Sequence, residues 1–178
     1  GEKGRAQRNA ALQLIRDYFE SKRRYGIVYF GDDDNGYHVQ LFSELRKIKR
    51  FGTFPVAFVG GSTYERCNVN ETTGLVEGMH VLWAPERKFA LDMAAFGFHS
   101  SLLRRKNMAK KTPKFMDTVR KGNSESRFVK QLIQDITELE PLAQNCTRVY
   151  AYHVKSSDGN QTEMPPEDAL AEEIIMGL

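Results

Sequence analysis

Apolar residues recur at helical spacing in three stretches of the chain, which predicts helices over residues 8–24, 39–50 and 124–136. Charged residues lie on the opposite side of each stretch, so each helix is expected to bury one stripe only. Ser124 is the N-cap candidate of the third helix. The stripes expected to face the core are Ala11, Leu12, Ile15, Tyr18 and Phe19, then Leu41, Phe42, Leu45 and Ile48, then Phe128, Val129, Leu132, Ile133 and Ile136.

Short apolar runs between these stretches predict strands over residues 26–30, 54–59, 76–83 and 148–154. The segment 63–75 is polar and irregular, and it is expected to form a loop. Because strands alternate with helices, the pattern predicts an α/β fold whose sheet is mainly parallel.

The charge of the chain is unevenly distributed. The 178 residues are enough for about one domain, and no apolar run approaches the roughly 20 residues that span a bilayer. Residues 156–178 hold six acids and no basic residue, so we predict an acidic polar tail after a domain over residues 1–155. That domain carries 26 basic against 17 acidic residues, a net charge of +9. It favours an anionic partner, although a solvated basic face explains the same composition. No nucleic-acid-binding motif is present.

Two cysteines, Cys67 and Cys146, exclude a disulfide-dense scaffold and a cysteine-rich zinc site, and the sequence leaves open whether they pair. Three N-x-[ST] sequons begin at Asn70, Asn145 and Asn160. Together they favour a location in the lumen of the secretory pathway.

The acidic triplet Asp32-Asp33-Asp34 follows the apolar run 26–30. A buried strand that ends in clustered acids is typical of a ligand site at the edge of an α/β sheet. Carboxylates this close repel one another, and oxygen ligands suit Mg²⁺ or Mn²⁺ completed by phosphate oxygens and water. In an extended chain, Asp32 and Asp34 would share one side. The spacing fails the EF-hand pattern, and an acidic surface turn is the competing interpretation.

Other polar side chains each carry two interpretations. Glu125 begins a predicted helix, where it is either a simple first-turn acid or a general base. Trp83 and Arg87 can stack on a sugar and pair with an anion, or the indole belongs to the core. Asp92 lies in an apolar segment and needs a partner if buried. His153 ends a strand and either faces phosphate or is structural.

Taken together, these stretches resemble the β-1,3-glucuronyltransferases, manganese-dependent inverting enzymes of the Golgi. The similarity keeps the family's order and spacing over roughly residues 4–155. The matching stretches are GRAQRNAAL (4–12), GIVYFGDDDN (26–35), PVAFVGG (55–61), Tyr64-Glu65, WAPERKFALDMAAF (83–96), GNSES (122–126), LEPLAQNCTRV (139–149) and Tyr152-His153.

The resemblance implies a GT-A-like, Rossmann-type mixed sheet flanked by helices. It implies an enzyme that moves glucuronate from UDP-glucuronate to the 3-hydroxyl of a terminal galactose, on a proteoglycan linkage region or a glycoprotein glycan. It also implies a Mn²⁺ cofactor, a homodimer, and a lumenal catalytic domain on a Golgi membrane anchor. Family members carry an N-terminal nucleotide-binding half that nothing here matches, so we expect this chain to be the metal and acceptor half. The alternative is a truncated, non-catalytic sugar- or glycosaminoglycan-binding relative.

Residue roles also follow from the resemblance. Asp34 would be the direct Mn²⁺ ligand, and Glu125 the base that deprotonates the acceptor hydroxyl. Lys3 and Lys155 stand where the family has arginine, which keeps the charge but loses the bidentate fork. The donor side would comprise Lys3, Arg8, Asp32, Asp33, Asp34, His153 and Lys155, and the acceptor side and glucuronate pocket would comprise Glu65, Trp83, Arg87 and Asp92.

Overall fold

The computed structural model of the protein describes residues 4–104, 112–116 and 124–154. Among these residues, no helix is both long and apolar enough to cross a membrane. The helices are α1 (Arg5–Lys22), α2 (Gln40–Leu45), α3 (Ser124–Leu132) and α4 (Leu142–Cys146), with 3-10 turns at Met93–Ala95, Ser100–Leu103 and Ile136–Glu138. The strands are β1 (Ile27–Tyr29), β2 (Asn35–Tyr37), β3 (Phe51–Thr53), β4 (Val56–Ala57), β5 (Tyr64–Val69), β6 (Val76–His80), β7 (Phe96–His99), β8 (Glu140–Pro141) and β9 (Ala151–His153).

The strands form two mixed sheets flanked by helices, which confirms the predicted fold class. One sheet has the order β1-β7-β3-β8, and the other has the order β2-β9-β4-β5-β6. Only β3 with β8 and β4 with β9 pair in parallel among the described strands. The expectation of a mainly parallel sheet was therefore wrong. Parallel neighbours need long crossover connections, and a short connection such as the one between β5 and β6 makes an antiparallel hairpin instead.

Phenylalanines connect the first sheet to α3 through the core. The rings of Phe51 and Phe98, on β3 and β7, stack with centroids 6.1 Å apart. Phe98 contacts Phe128 of α3 at 5.7 Å, and Phe128 stacks on Phe115 at 4.2 Å. All four side chains are almost completely buried. Burial of each contributes about 1.5–3 kcal/mol, so this stack anchors the helix that carries Glu125.

Two amide side chains hold the short described segment 112–116 in place. Asn9 of α1 donates to the carbonyl of Phe115 and accepts its N–H, at 2.9 and 2.8 Å. Gln131 of α3 makes the same pair of bonds with the backbone of Lys114, at 2.9 and 3.1 Å. The backbone N–H and carbonyl groups of Lys114 and Phe115 are therefore all hydrogen-bonded. The segment connects α1 to α3.

A disulfide joins Cys67 on β5 to Cys146 at the end of α4, which answers the pairing question that the sequence left open. The bridge closes a sequence separation of 79 residues, so in the chain-entropy model it stabilises the fold by roughly 4–5 kcal/mol. It also secures an unusual backbone, since Ala143 to Cys146 all have left-handed φ values between 52° and 61°. That conformation costs about 1–2 kcal/mol per residue.

The predicted elements differ from the structure where tertiary packing decides. Residues 64–69 form strand β5, so the irregular structure expected over 63–75 was wrong for that part. Residues 70–75 connect β5 to β6, which lies within the predicted strand 76–83. Phe42 and Tyr18 are 50% and 53% exposed, although both were expected to face the core. Helices α2 and α3 end at Leu45 and Leu132, earlier than the apolar stripe suggested.

Candidate active site

The acidic triplet forms the turn between β1 and β2, with Asp33 and Asp34 exposed. The hydroxyl of Tyr37 donates to the carbonyl of Asp32 at 2.8 Å. The N–H of Val154 donates to the carbonyl of Asp34 at 3.2 Å. These bonds hold the backbone in a tight turn, so the condition of an extended chain, under which Asp32 and Asp34 would share one side, is not met.

Arg8 reaches the triplet from α1. Its Nη2 lies 3.1 Å from Oδ1 of Asp32, and the two side chains are 21% and 34% exposed. A partly exposed ion pair of this kind contributes at most about 1 kcal/mol to stability. It orients Asp32 and leaves the other two carboxylates facing solvent.

No cluster of three or more potential metal ligands occurs among the described residues. The acidic turn nevertheless offers carboxylate oxygens, which Mg²⁺ and Mn²⁺ prefer. Neighbouring Asn35 has a buried side-chain amide, and neither its oxygen nor its nitrogen has a partner in the described part of the chain. This donor set suits a cation that keeps several waters and binds one or two carboxylates plus substrate phosphates, and it does not suit an all-protein cage.

His153 connects the acidic turn to the second half of the site. It lies on β9 opposite Asn35 of β2, and its Nε2 is 3.3 Å from Oδ1 of Asp92. The hydrogen bond with Asp92 is the main factor that raises the pKa of His153, and burial opposes it. Asp92 also accepts the N–H of Ala94 at 2.8 Å, so its carboxylate is held from two sides.

Beside Asp92 the chain forms an open pocket of about 360 Å³. Side chains from β5, the segment after β6, the first turn of α3 and the stretch before the first 3-10 turn converge on it. The lining residues are Val59, Gly60, Glu65, Trp83, Arg87, Leu91, Asp92 and Glu125. The volume and the polar groups along one wall fit a small polar ligand such as a monosaccharide.

Glu65 is the buried acid of this pocket. It lies on β5 and is 5% exposed. Its pKa is raised to about 7, mainly by burial and further by the charge of Asp92, while Arg87 and His153 oppose the rise. A carboxyl group with this pKa is about half protonated at neutral pH, and its protonated form can donate a hydrogen bond as well as accept one.

Arg87 and Trp83 form one unit at the rim. The guanidinium lies 4.4 Å from the centre of the indole ring. Its Nη2 and Nε donate to the carbonyls of Trp83 and Ala84, both at 3.0 Å. Trp83 is 43% exposed, so the alternative that it belongs to the core is wrong. One face of the indole is covered by Arg87.

Glu125 lies in the first turn of α3 and is half-buried at the pocket wall. The helix N-terminus favours negative charge at this position. Next to it, the hydroxyl of Ser126 donates to the carbonyl of Phe89 in the core. This bond and the Phe128 stack hold the first turn of α3 against the pocket.

The structure thus brings together the five residues predicted for the acceptor side and for the base: Glu65, Trp83, Arg87, Asp92 and Glu125. The acidic turn does not line this pocket but lies next to it, since His153 contacts Asp92 and pairs with Asn35 at the end of the turn. Lys3 and Lys155 lie outside the described residues. Sequence reasoning missed Gly60 and Asn35 as parts of the site, and their only sequence signals were a Gly-Gly pair after a strand and an asparagine next to the acids.

A mixed α/β frame with a polar pocket bordered by an exposed indole, together with an acidic turn, fits a protein that binds carbohydrate. The chain belongs to glycosyltransferase family 43, whose sequence profile matches residues 1–157.

Relatives from several animals agree with this assignment. Galactosylgalactosylxylosylprotein 3-beta-glucuronosyltransferase sqv-8 of Caenorhabditis elegans is 38% identical over 154 residues, covering 86% of this chain and 42% of the relative. Galactosylgalactosylxylosylprotein 3-beta-glucuronosyltransferase 1 of Homo sapiens is 38% identical over 86% of this chain and 45% of its own length. Galactosylgalactosylxylosylprotein 3-beta-glucuronosyltransferase I of Drosophila melanogaster is 38% identical over 94% and 53%. The chain therefore spans about half the length of these relatives.

Proposed function

We propose that this chain is the metal and acceptor part of an inverting glucuronosyltransferase. It moves glucuronate from UDP-glucuronate to the 3-hydroxyl of a terminal galactose, on a proteoglycan linkage region or a glycoprotein glycan. The observation that carries the proposal is the convergence of Glu65, Trp83, Arg87, Asp92 and Glu125 on one pocket beside the acidic turn. The glucuronosyltransferase names of the relatives support the same reaction class.

The residues of this chain fall into two groups, one that acts on the acceptor and one that acts on the leaving group. Trp83 and Arg87 orient the acceptor sugar at the rim, and Glu65 and Asp92 hydrogen-bond its hydroxyl groups. Glu125 takes the proton of the attacking hydroxyl. The acceptor oxygen then forms its bond to the anomeric carbon of glucuronate, while the bond from that carbon to the diphosphate oxygen breaks. A single displacement of this kind inverts the configuration at the anomeric carbon.

The acidic turn handles the leaving group. Asp34 would hold Mn²⁺, and Asp32 and Asp33 would contact the sugar and ribose of the donor. When bound, the ion supplies Lewis-acid charge that stabilises the departing UDP. His153, whose pKa Asp92 raises, adds a positive charge on the same side when it is protonated. The proposed compartment is the Golgi lumen, and the Cys67–Cys146 disulfide supports an oxidising environment.

Glu125→Gln tests the proposal, with Glu86→Gln as the control because Glu86 is exposed beside the same pocket. We expect Glu125→Gln to lower transfer from radiolabelled UDP-glucuronate to a galactose-terminated acceptor by about 10²–10⁴-fold, with UDP affinity unchanged. Transfer by Glu125→Gln at the rate of the unmodified chain would exclude Glu125 as the base. Acceptor binding without transfer by the full-length protein, under conditions that support its relatives, would favour the non-catalytic sugar-binding alternative.

A further inference from the structure

The tip of the β5–β6 hairpin presents a sequon in a closed, solvent-exposed turn. Asn70, Glu71 and Thr72 follow β5 directly. The N–H of Asn70 donates to the carbonyl of Leu75 at 2.9 Å, and the N–H of Gly74 donates back to the carbonyl of Asn70 at 2.8 Å. Glu71 and Thr72 are exposed, so the triplet is presented at the surface.

Both polar atoms of the Asn70 side chain form hydrogen bonds, and those of the carbonyl oxygen orient it. Its Oδ1 accepts the N–H groups of Thr72 and Thr73, at 3.0 and 2.9 Å, in an Asx turn. Its Nδ2 donates to Oε2 of Glu77 at 2.9 Å, on the exposed surface. A primary amide carries two N–H groups, and a substituted amide keeps one of them. A sugar on Nδ2 is therefore compatible with the bonds that shape the turn.

The sequon at Asn145 lies in a different environment. Its middle residue, Cys146, is buried and bonded to Cys67. The hydroxyl of its third residue, Thr147, donates to the carbonyl of Gln144 at 2.6 Å. By contrast, the Thr72 side chain is exposed at a hairpin tip. Asn160 lies outside the described residues.

The disulfide also bears on the compartment in which the chain folds. Such bonds form and persist in the oxidising secretory pathway and are rare in the cytosol. That is the same pathway in which N-x-[ST] triplets on surface loops accept glycans. The bridge begins at Cys67, three residues before Asn70, so the bridge and the sequon belong to the same hairpin.

We propose that Asn70 is an N-glycosylation site. Its Nδ2 forms a bond to the anomeric carbon of an oligosaccharide carried on a lipid-linked diphosphate, and the cell's oligosaccharyl-transferring enzyme catalyses the step. The bond between that carbon and the diphosphate oxygen breaks, the lipid diphosphate leaves with the electron pair, and Nδ2 gives up one proton. Asn70 is five residues along the strand from Glu65, roughly 17 Å. The attachment point therefore lies well outside the pocket that Glu65 lines.

The test is site-resolved mass spectrometry on the chain secreted from animal cells behind a cleavable signal. Treatment with peptide-N-glycosidase converts each glycosylated asparagine to aspartate, so we expect the peptide with residue 70 to carry that conversion. Thr72→Val should abolish the conversion at Asn70 only, and Thr72→Ser should retain it. Because both variants alter the same exposed side chain, a difference between them reports on the sequon and not on folding.

An unmodified Asn70 in chain that carries the Cys67–Cys146 disulfide would overturn the proposal, because the disulfide shows that the chain folded in the oxidising compartment. Conversion at Asn70 that persists in Thr72→Val would overturn it as well. Acceptor turnover should be equal in Thr72→Val and Thr72→Ser, so loss of the proposed transferase activity and loss of glycosylation are separate results.

Discussion

The two halves of the candidate site hold their carboxylates in opposite ways. In the acidic turn, Asp34 is exposed, and its side chain projects into solvent. In the pocket, Glu65 is 5% exposed, and Asp92 is held by His153 and a backbone N–H. An exposed acid meets a cation that still carries water, whereas a buried acid has lost its water and depends on neighbouring groups.

This difference supports the proposal that the two halves of the site bind unlike ligands. The acidic turn suits a charged ligand that arrives with a metal, because the turn needs little rearrangement and loses little hydration. The pocket suits a neutral sugar, because Glu65 becomes neutral close to physiological pH and can exchange hydrogen bonds with hydroxyl groups. His153 contacts Asp92 and lies opposite the end of the acidic turn, so it links the two halves.

Asp34→Asn should weaken metal binding at the acidic turn and leave the pocket unchanged. Loss of an outer contact to a metal ligand already costs about 10–100-fold in metal affinity, so loss of the ligand itself should cost at least that much. We expect calorimetry to show Mn²⁺-dependent UDP affinity lowered by roughly 100-fold or more. Asp17→Asn, an exposed acid on α1, is the control and should bind as the unmodified chain does. Equal affinity in Asp34→Asn would remove Asp34 from the metal site.

Glu65→Gln should test the buried half of this comparison, because the variant lacks the titrating group that makes stability depend on pH. The pKa of Glu65 is about 7 in the folded chain and about 4.5 when unfolded. Between these values the folded state holds the proton and the unfolded state releases it, so stability falls as the pH rises through this window. The cost is complete above pH 7 and amounts to at most about 3 kcal/mol.

Because glutamine stays neutral, the Glu65→Gln variant should match the unmodified chain in stability near pH 4 and exceed it near pH 8. Urea unfolding at the two pH values, without donor or acceptor, measures this change. Glu20→Gln changes an exposed acid on α1 and should show no such pH-dependent difference. A stability difference for Glu65→Gln that is the same at both pH values would contradict the buried-acid assignment.

The parts of the molecule that local pattern controls were predictable from the sequence. Period-3.6 apolar stripes indicated α1 and α3, and the apolar run before the acids indicated β1. The site residues came from the family resemblance, because residues as far apart as Glu65 and Glu125 share no local pattern. Their convergence on one pocket is a property of the tertiary fold.

Other features depend on long-range packing and left no clear signal in the sequence. The left-handed backbone around Gln144 is held by the disulfide and by Glu44, which accepts the N–H of Ala143 at 2.9 Å. The mainly antiparallel pairing arises because β7 lies between β1 and β3, although it follows both in the chain. The polar segment 64–69 forms a strand because its partners on both sides supply the backbone bonds.

Gly60 and Gly61 offer a matched pair that tests how closely the pocket is built around Glu65. Both have left-handed φ values, +62° and +83°, so alanine at either position costs about 1–2 kcal/mol of backbone strain. A Cβ on Gly60 would lie 2.4 Å from Oε1 of Glu65, whereas a Cβ on Gly61 would meet nothing within 4 Å in the described part of the chain. The carboxylate can swing away from the new methyl group, but only by leaving its place in the pocket.

Gly60→Ala and Gly61→Ala should therefore lose similar stability and differ in acceptor use. We expect kcat/KM for the acceptor to fall about tenfold more in Gly60→Ala than in Gly61→Ala, because a displacement of about 1 Å in a positioning group costs up to 100-fold. Donor affinity should be equal in the two variants, since the acidic turn is untouched. Melting temperatures and steady-state kinetics measure both quantities. Equal acceptor kinetics in the two variants would mean that the position of the Glu65 carboxylate is unimportant for acceptor binding, and the contrast between a rigid pocket and an exposed turn would then fail.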